Sequence, residues 1–193
     1  MTTPPATVQS QPTAFSVLDP CFGSAQAARV AGCELMTLFS WRRRFNLLGG
    51  TTRGSKRRDG YRGKGDATGY TLLDLCVVRL VVTLAESGIE TRRAVFFTGG
   101  LDAPPEVDVL IRGSFNALIC GNRSFRFIGF LTPRKGAHFG DGFVQLKMDE
   151  TVEHLLARTG GAGILFVVDM LPIVEHVLGA LGIAHRGEWG EIK

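Results

Sequence analysis

Between Arg42 and Lys64 the chain carries nine lysines and arginines against one acid, Asp59, while the rest of its 193 residues holds 13 basic and 17 acidic side chains. All of the excess positive charge therefore lies in one short window. Segregation of this kind marks a surface built to meet a polyanion, although charge alone leaves a solvated loop open as the alternative. The residue types add chemistry to the charge. Thr37, Ser40, Arg43 and Arg44 are spaced so that hydroxyl and guanidinium groups point at least partly outward from one helix. A guanidinium pairs with two acceptors of guanine in a major groove, and Ser and Thr reach bases or phosphates. Arg43 and Arg44 suit base reading and phosphate contact equally; Arg42 suits contact or a solvated helix end. Arg53, Lys56, Arg57, Arg58, Arg62 and Lys64 are interleaved with glycines. That spacing lets a backbone follow a duplex closely, with arginine able to enter a narrow minor groove. Trp41 has two uses, donating its indole N–H to a sugar-phosphate backbone or anchoring the adjoining segment to the helices. Tyr61 stacks or donates to a phosphate, or packs locally.

Elsewhere the chain offers no constellation for catalysis. His138, His154, His176 and His185 are scattered, and no Ser or Cys sits in a nucleophile elbow. Cys21, Cys33, Cys76 and Cys120 lack the spacing of a zinc site and read as free thiols. Gly160-Gly161-Ala162-Gly163 precedes a strand pattern instead of following one and opening a helix, which is the wrong order for a phosphate loop. Asp141, Asp149, Glu150, Glu153 and Asp169 read as surface charges. No metal, cofactor or catalytic residue is expected. The apolar stretches at Cys76–Leu84 and Ile164–Leu171 are broken by Arg79 and Asp169, so no membrane span is expected.

The elements that must position the basic window follow from periodicity. Ser24 reads as an N-cap for an Ala-rich helix that Gly32 ends. A second helix follows within three residues, with Leu35, Leu38 and Phe39 facing inward. Two short helices across a tight glycine turn form a helix-turn-helix pattern. Gly49–Gly69 reads as a long hairpin tip, or wing. Thr71 and Asp74 form a capping signal for an apolar helix to about Glu86, Gly88 closes it, and Thr91 opens a short helix through Phe97. After Gly99, Gly100, Pro104 and Pro105 the pattern changes. Val107–Ile119, Phe125–Leu131, Gly142–Met148 and Gly163–Val168 read as strands, with Gly-Asn and Pro-Arg-Lys-Gly turns between them. Helices are expected over Glu150–Arg158 and Leu171–Leu181, the last with Pro172 in its first turn.

The segment Leu38-Phe39-Ser40-Trp41-Arg42-Arg43-Arg44-Phe45-Asn46-Leu47 resembles the end of the recognition helix in MerR-type regulators. Ala25–Gly32 is similar to that family's first helix, Gly69–Leu75 to the segment leaving its wing, and Gly88-Ile89 to the turn after its third helix. These pieces stand in family order over about 70 residues. The resemblance implies a DNA-binding role for Thr37, Ser40, Trp41, Arg42, Arg43, Arg44, Arg53, Lys56, Arg57, Arg58, Tyr61, Arg62 and Lys64. The family's long dimerising helix has no counterpart after the Gly/Pro-rich break, so its coiled-coil dimer and promoter untwisting do not carry over.

The expected fold is a mainly α, winged helix-turn-helix N-terminal domain followed by a small α+β domain. Residues 1–20 form a disordered tail, 21–98 the DNA-binding domain, 99–106 a linker and 107–193 the second domain. The expected function is that of a sequence-specific transcriptional regulator acting on double-stranded DNA in the cytoplasm, nucleoid-associated. Its C-terminal domain would serve self-association or bind a partner or effector; Ile173, Val174, Val177 and Leu178 of the last helix read first as core packing and second as a candidate interface. The alternative is an architectural DNA-binding protein of a phage or mobile element, of the excisionase or small packaging subunit type.

Overall fold

The computed structural model describes residues 17–48, 69–100, 103–132, 142–146, 151, 153–154, 157 and 164–183. Its elements are α1 (Ser24–Ala31), α2 (Leu35–Phe45), α3 (Leu72–Glu86), α4 (Thr91–Phe96), α5 (Pro105–Ile119), a 3-10 turn (Arg123–Phe125), β1 (Phe127–Thr132), β2 (Gly142–Leu146), β3 (Ile164–Asp169) and α6 (Leu171–Ala180). The architecture is mainly helical with one small antiparallel sheet, in strand order β2-β1-β3. Phe127 stands opposite Leu146 on one side and Asp169 on the other. Most of the expected tail, the Pro133–Gly136 turn and most of the expected helix over Glu150–Arg158 lie outside the described residues; Glu153, His154 and Ala157 are helical.

α3 organises the molecule. Leu72, Leu73, Leu75, Cys76, Val77, Val78, Leu80, Val81, Val82 and Leu84 are all buried, so the helix is apolar almost all round and lies inside the protein. It packs against α1, α4, α5 and α6. Its start is the expected capping box: the Asp74 N–H donates to Thr71 Oγ1 at 3.1 Å, and the Thr71 N–H donates to Asp74 Oδ2 at 2.8 Å. Arg79, the charge that interrupts the apolar run, donates to the Ala31 carbonyl at 3.1 Å and so closes the C-terminus of α1.

The stretch expected as a strand over Val107–Ile119 is the helix α5. Its buried positions Val107, Ile111, Ser114, Phe115 and Leu118 recur with helical spacing. The local alternation of Val107, Val109 and Ile111 imitates a strand, but Pro105 in the first turn and Glu106 and Asp108 beside it are helix-start signals. Ser24 is likewise not the cap of α1. Gly23 takes the extended N-cap position, and Ser24 is the buried first residue of the helix.

One continuous core runs from Phe22, Ala27 and Leu38 through α3 to Phe115, Ile128, Phe130, Met170, Val174 and Val177. α4 and α5, on either side of the 99–106 segment expected as a linker, therefore share one interior. Gly100 sits so close to Val95 that an added Cβ would fall 2.4 Å from its Cγ1. Ile173, Val174, Val177 and Leu178 are buried in this core, the first of the two uses expected for them. His176 on the same helix places Nε2 3.0 Å from the Val30 carbonyl of α1. Val17, within the span expected as a tail, also packs on the core. The sheet is tied in by Phe97 against Phe130, with ring centroids 4.8 Å apart. At its end Arg126 and Asp169 form a bidentate pair with contacts of 2.6 and 2.9 Å. Asp169 Oδ1 also accepts from the Leu171 N–H at 3.1 Å, which starts α6.

Candidate nucleic-acid interface

α1 and α2 are joined by a turn of three residues, Gly32, Cys33 and Glu34. Gly32 takes φ 78°, the left-handed conformation, and the Cys33 N–H returns to the Ala28 carbonyl at 3.0 Å. An added Cβ at Gly32 would stand 2.9 Å from Arg79 Nη1, the group that caps α1. Cys33 is half-buried, and burial pushes its thiol up despite the nearby Arg79 charge. The turn sends α2 off with Glu34 extended at its N-cap and exposed.

The buried side of α2 is set by Leu38, with Leu35, Trp41 and Phe45 packed against the core around it. These positions follow i, i+3, i+6 and i+10 from Leu35, one helical stripe. Phe39, expected to face inward, is half-buried and lies beside that stripe instead of on it. The other side of the helix carries the candidate residues. Arg43 and Arg44 are exposed, while Thr37 and Ser40 are half-exposed. Thr37, Ser40 and Arg44 follow i, i+3 and i+7, and Arg43 stands three residues on from Ser40, so the four share one side. Trp41 is half-buried and packs on the core.

Arg42 has a different placement from its neighbours. Its Nη1 donates to the Tyr70 hydroxyl at 3.0 Å, and its guanidinium carbon lies 5.4 Å from the centre of that ring. Tyr70 is fully buried and bridges antiparallel to Phe22, with N–H to carbonyl distances of 2.8 and 3.1 Å. Arg42 thus fastens the last turn of α2 to the strand-like bridge before α3.

That fastening bears on the basic window. Asn46 ends α2 at φ 50°, and Leu47 and Leu48 are buried immediately after it. The chain re-enters at Gly69, packed so tightly on Pro20 that a Cβ would lie 2.7 Å from its carbonyl oxygen. Leu48 follows the end of α2 by three residues, and Tyr70 is bonded to Arg42 within its last turns. Leu48 and Tyr70, described on either side of the 49–68 segment, thus both lie by the end of α2 that carries Arg43 and Arg44. Arg53, Lys56, Arg57, Arg58, Tyr61, Arg62 and Lys64 lie outside the described residues.

One residue of this side is absent from the candidate set read from the sequence. Met36 is 72% exposed, on the same stripe as Ser40 and Arg43 at i, i+4 and i+7. Its spacing from Ser40 and Arg43 is readable in the sequence, but an apolar side chain is easily assigned to the core. Among the described residues no group of three or more His, Cys, Asp or Glu side chains could hold a metal ion. Nor is any helix among them long and apolar enough to cross a membrane. Comparison with protein-family models and with curated proteins finds no match to this chain.

Proposed function

We propose that this protein binds double-stranded DNA through the outward side of α2, as a winged helix-turn-helix module of the MerR type, and that it regulates transcription. The observation that carries this reading is the placement of Arg43 and Arg44, exposed beside half-exposed Thr37 and Ser40 on the second helix of a tight pair. The 49–68 segment, with Arg53, Lys56, Arg57, Arg58, Arg62 and Lys64, follows α2 in the chain, and Tyr70 just beyond it is bonded to Arg42. In this reading α2 enters the major groove and the basic segment acts as the wing along the phosphates. Backbone contacts supply most of the affinity, and the hydroxyl and guanidinium groups of α2 supply the sequence preference. A single module of this size makes few base contacts, so useful specificity implies a second copy or a protein partner.

The test is a titration of duplex DNA by fluorescence anisotropy over a range of salt. With six to ten phosphate contacts, affinity falls by about 10³–10⁵ between 50 and 200 mM salt. Arg43→Ala and Arg44→Ala each flatten the logarithmic salt slope by about 0.9 if they meet phosphate, or erase preference for one base pair if they read bases. Salt-insensitive binding, or unchanged binding by the double variant, contradicts the proposal. Genomic footprinting then separates roles: promoter-proximal sites support regulation, whereas phased sites at an attachment or packaging sequence support the architectural alternative.

A further inference from the structure

Met36 is the most exposed large apolar side chain among the described residues, at 72%. A lone exposed apolar residue needs no explanation in itself. Its surroundings give it one. Every other apolar residue of α2 is at least half-buried, and Leu35, Leu38, Trp41 and Phe45 all pack on the core. Met36 instead stands in the first turn of α2, on the stripe that continues through Ser40 to Arg43. The first turn is the part of a recognition helix that comes nearest to base edges. Seven residues of helix separate Met36 from Arg43, a rise of roughly 10 Å. A major groove is about 12 Å wide. With Met36 over the base edges, Arg43 therefore stands level with one phosphate wall, which is where its charge is useful. An apolar tip at the leading end of a polar, cationic side matches one feature of the groove floor, the 5-methyl group of thymine.

We infer that Met36 is a specificity-determining residue whose thioether side chain packs against a thymine methyl group in the bound site. The inference rests on the DNA-binding reading of α2 and adds to it the base that the first turn selects. Duplexes preferred by the full chain are first selected from a random library. Each thymine of the selected site is then replaced singly by deoxyuracil, which removes the methyl group and keeps the pairing edge. At one position the wild-type chain should bind the uracil duplex about fourfold more weakly, the value of one buried methyl. Met36→Ala should bind the two duplexes equally, and Met36→Leu should restore part of the discrimination. Because Met36 is exposed, neither variant should shift the unfolding midpoint. If the chain selects a site but no thymine-to-uracil change weakens binding, or Met36→Ala discriminates as the wild type does, this inference is overturned while the DNA-binding reading stands. If the chain selects no duplex and shows no salt-dependent affinity, the reading of α2 fails and this inference fails with it.

Discussion

Asp74 accepts from two donors, one at the start of its own helix and one on α5. Oδ2 takes the Thr71 N–H at 2.8 Å, and Oδ1 takes Arg112 Nη2 at 2.7 Å. With the Asp74 side chain only 5% exposed and Arg112 14% exposed, this is a buried pair that joins α3 to α5. Asp108, one turn before Arg112, accepts from its Nε at 2.8 Å and supports the arrangement from the same helix. Asp74→Ala removes the cap and leaves a buried guanidinium half-served, so it should cost about 3–5 kcal/mol in urea unfolding; a loss below about 1 kcal/mol would contradict the geometry. Cys76, two residues on, is fully buried, and burial first and the Asp74 charge second push its thiol well up, with Arg112 opposing. The unfolded thiol therefore ionises first as pH rises past about 9, and the folded state loses stability there. The urea midpoint should fall between pH 8 and about 10 more steeply for the wild type than for Cys76→Ala. Alkylation at neutral pH should label exposed Cys21 and Cys120 and spare Cys76 until the protein unfolds.

Whole elements show where sequence patterns are sufficient and where they compete. The capping box at Thr71 and Asp74, the glycine stop at Gly32 and the inward Leu38 were legible because each is a short-range rule that tertiary packing reinforces. The strands β1, β2 and β3 and the helix α6 were readable within a few residues from β-branched runs and Pro172. α5 was not, because Val107, Val109 and Ile111 alternate over the first turns and only the positions from Ile111 to Leu118 reveal the helical period. The roles of Arg42 and Arg79 could not be read at all. Tyr70 is 28 residues from Arg42, and Ala31 is 48 residues from Arg79. Only the fold makes them neighbours. Of the candidate site, the outward Arg43 and Arg44 were visible from charge and period, and Met36 was hidden by its apolar type. Arg79→Met keeps the packed stem and deletes the cap on α1, so a loss of about 1.5–3 kcal/mol is expected in thermal or urea unfolding. Gly32→Ala should add a similar penalty, because it forces a left-handed residue against Arg79 Nη1.

At the scale of the whole molecule the helix pair is not a free-standing arm. α6 packs on α1 and α3, and α5 packs on α3, so the second half of the chain covers the back of the half that carries α2. The core residues Ile111, Phe115, Ile128, Phe130, Met170, Val174 and Val177 all come from beyond residue 104. A chain cut after residue 104 should lose cooperative unfolding, whereas the full chain should unfold in one transition followed by fluorescence and circular dichroism. A truncated chain of undiminished stability would show that the first half folds alone. In this arrangement the back of the helix pair is held by the core, and the side bearing Met36, Ser40, Arg43 and Arg44 is left outward. Amide chemical-shift mapping of the labelled full chain with a selected duplex tests that claim most directly. The largest shifts should fall on residues 34–46 and on the basic segment after Leu48, with β1, β3 and α6 little changed. Shifts concentrated on the sheet or α6, with α2 unmoved, would contradict it.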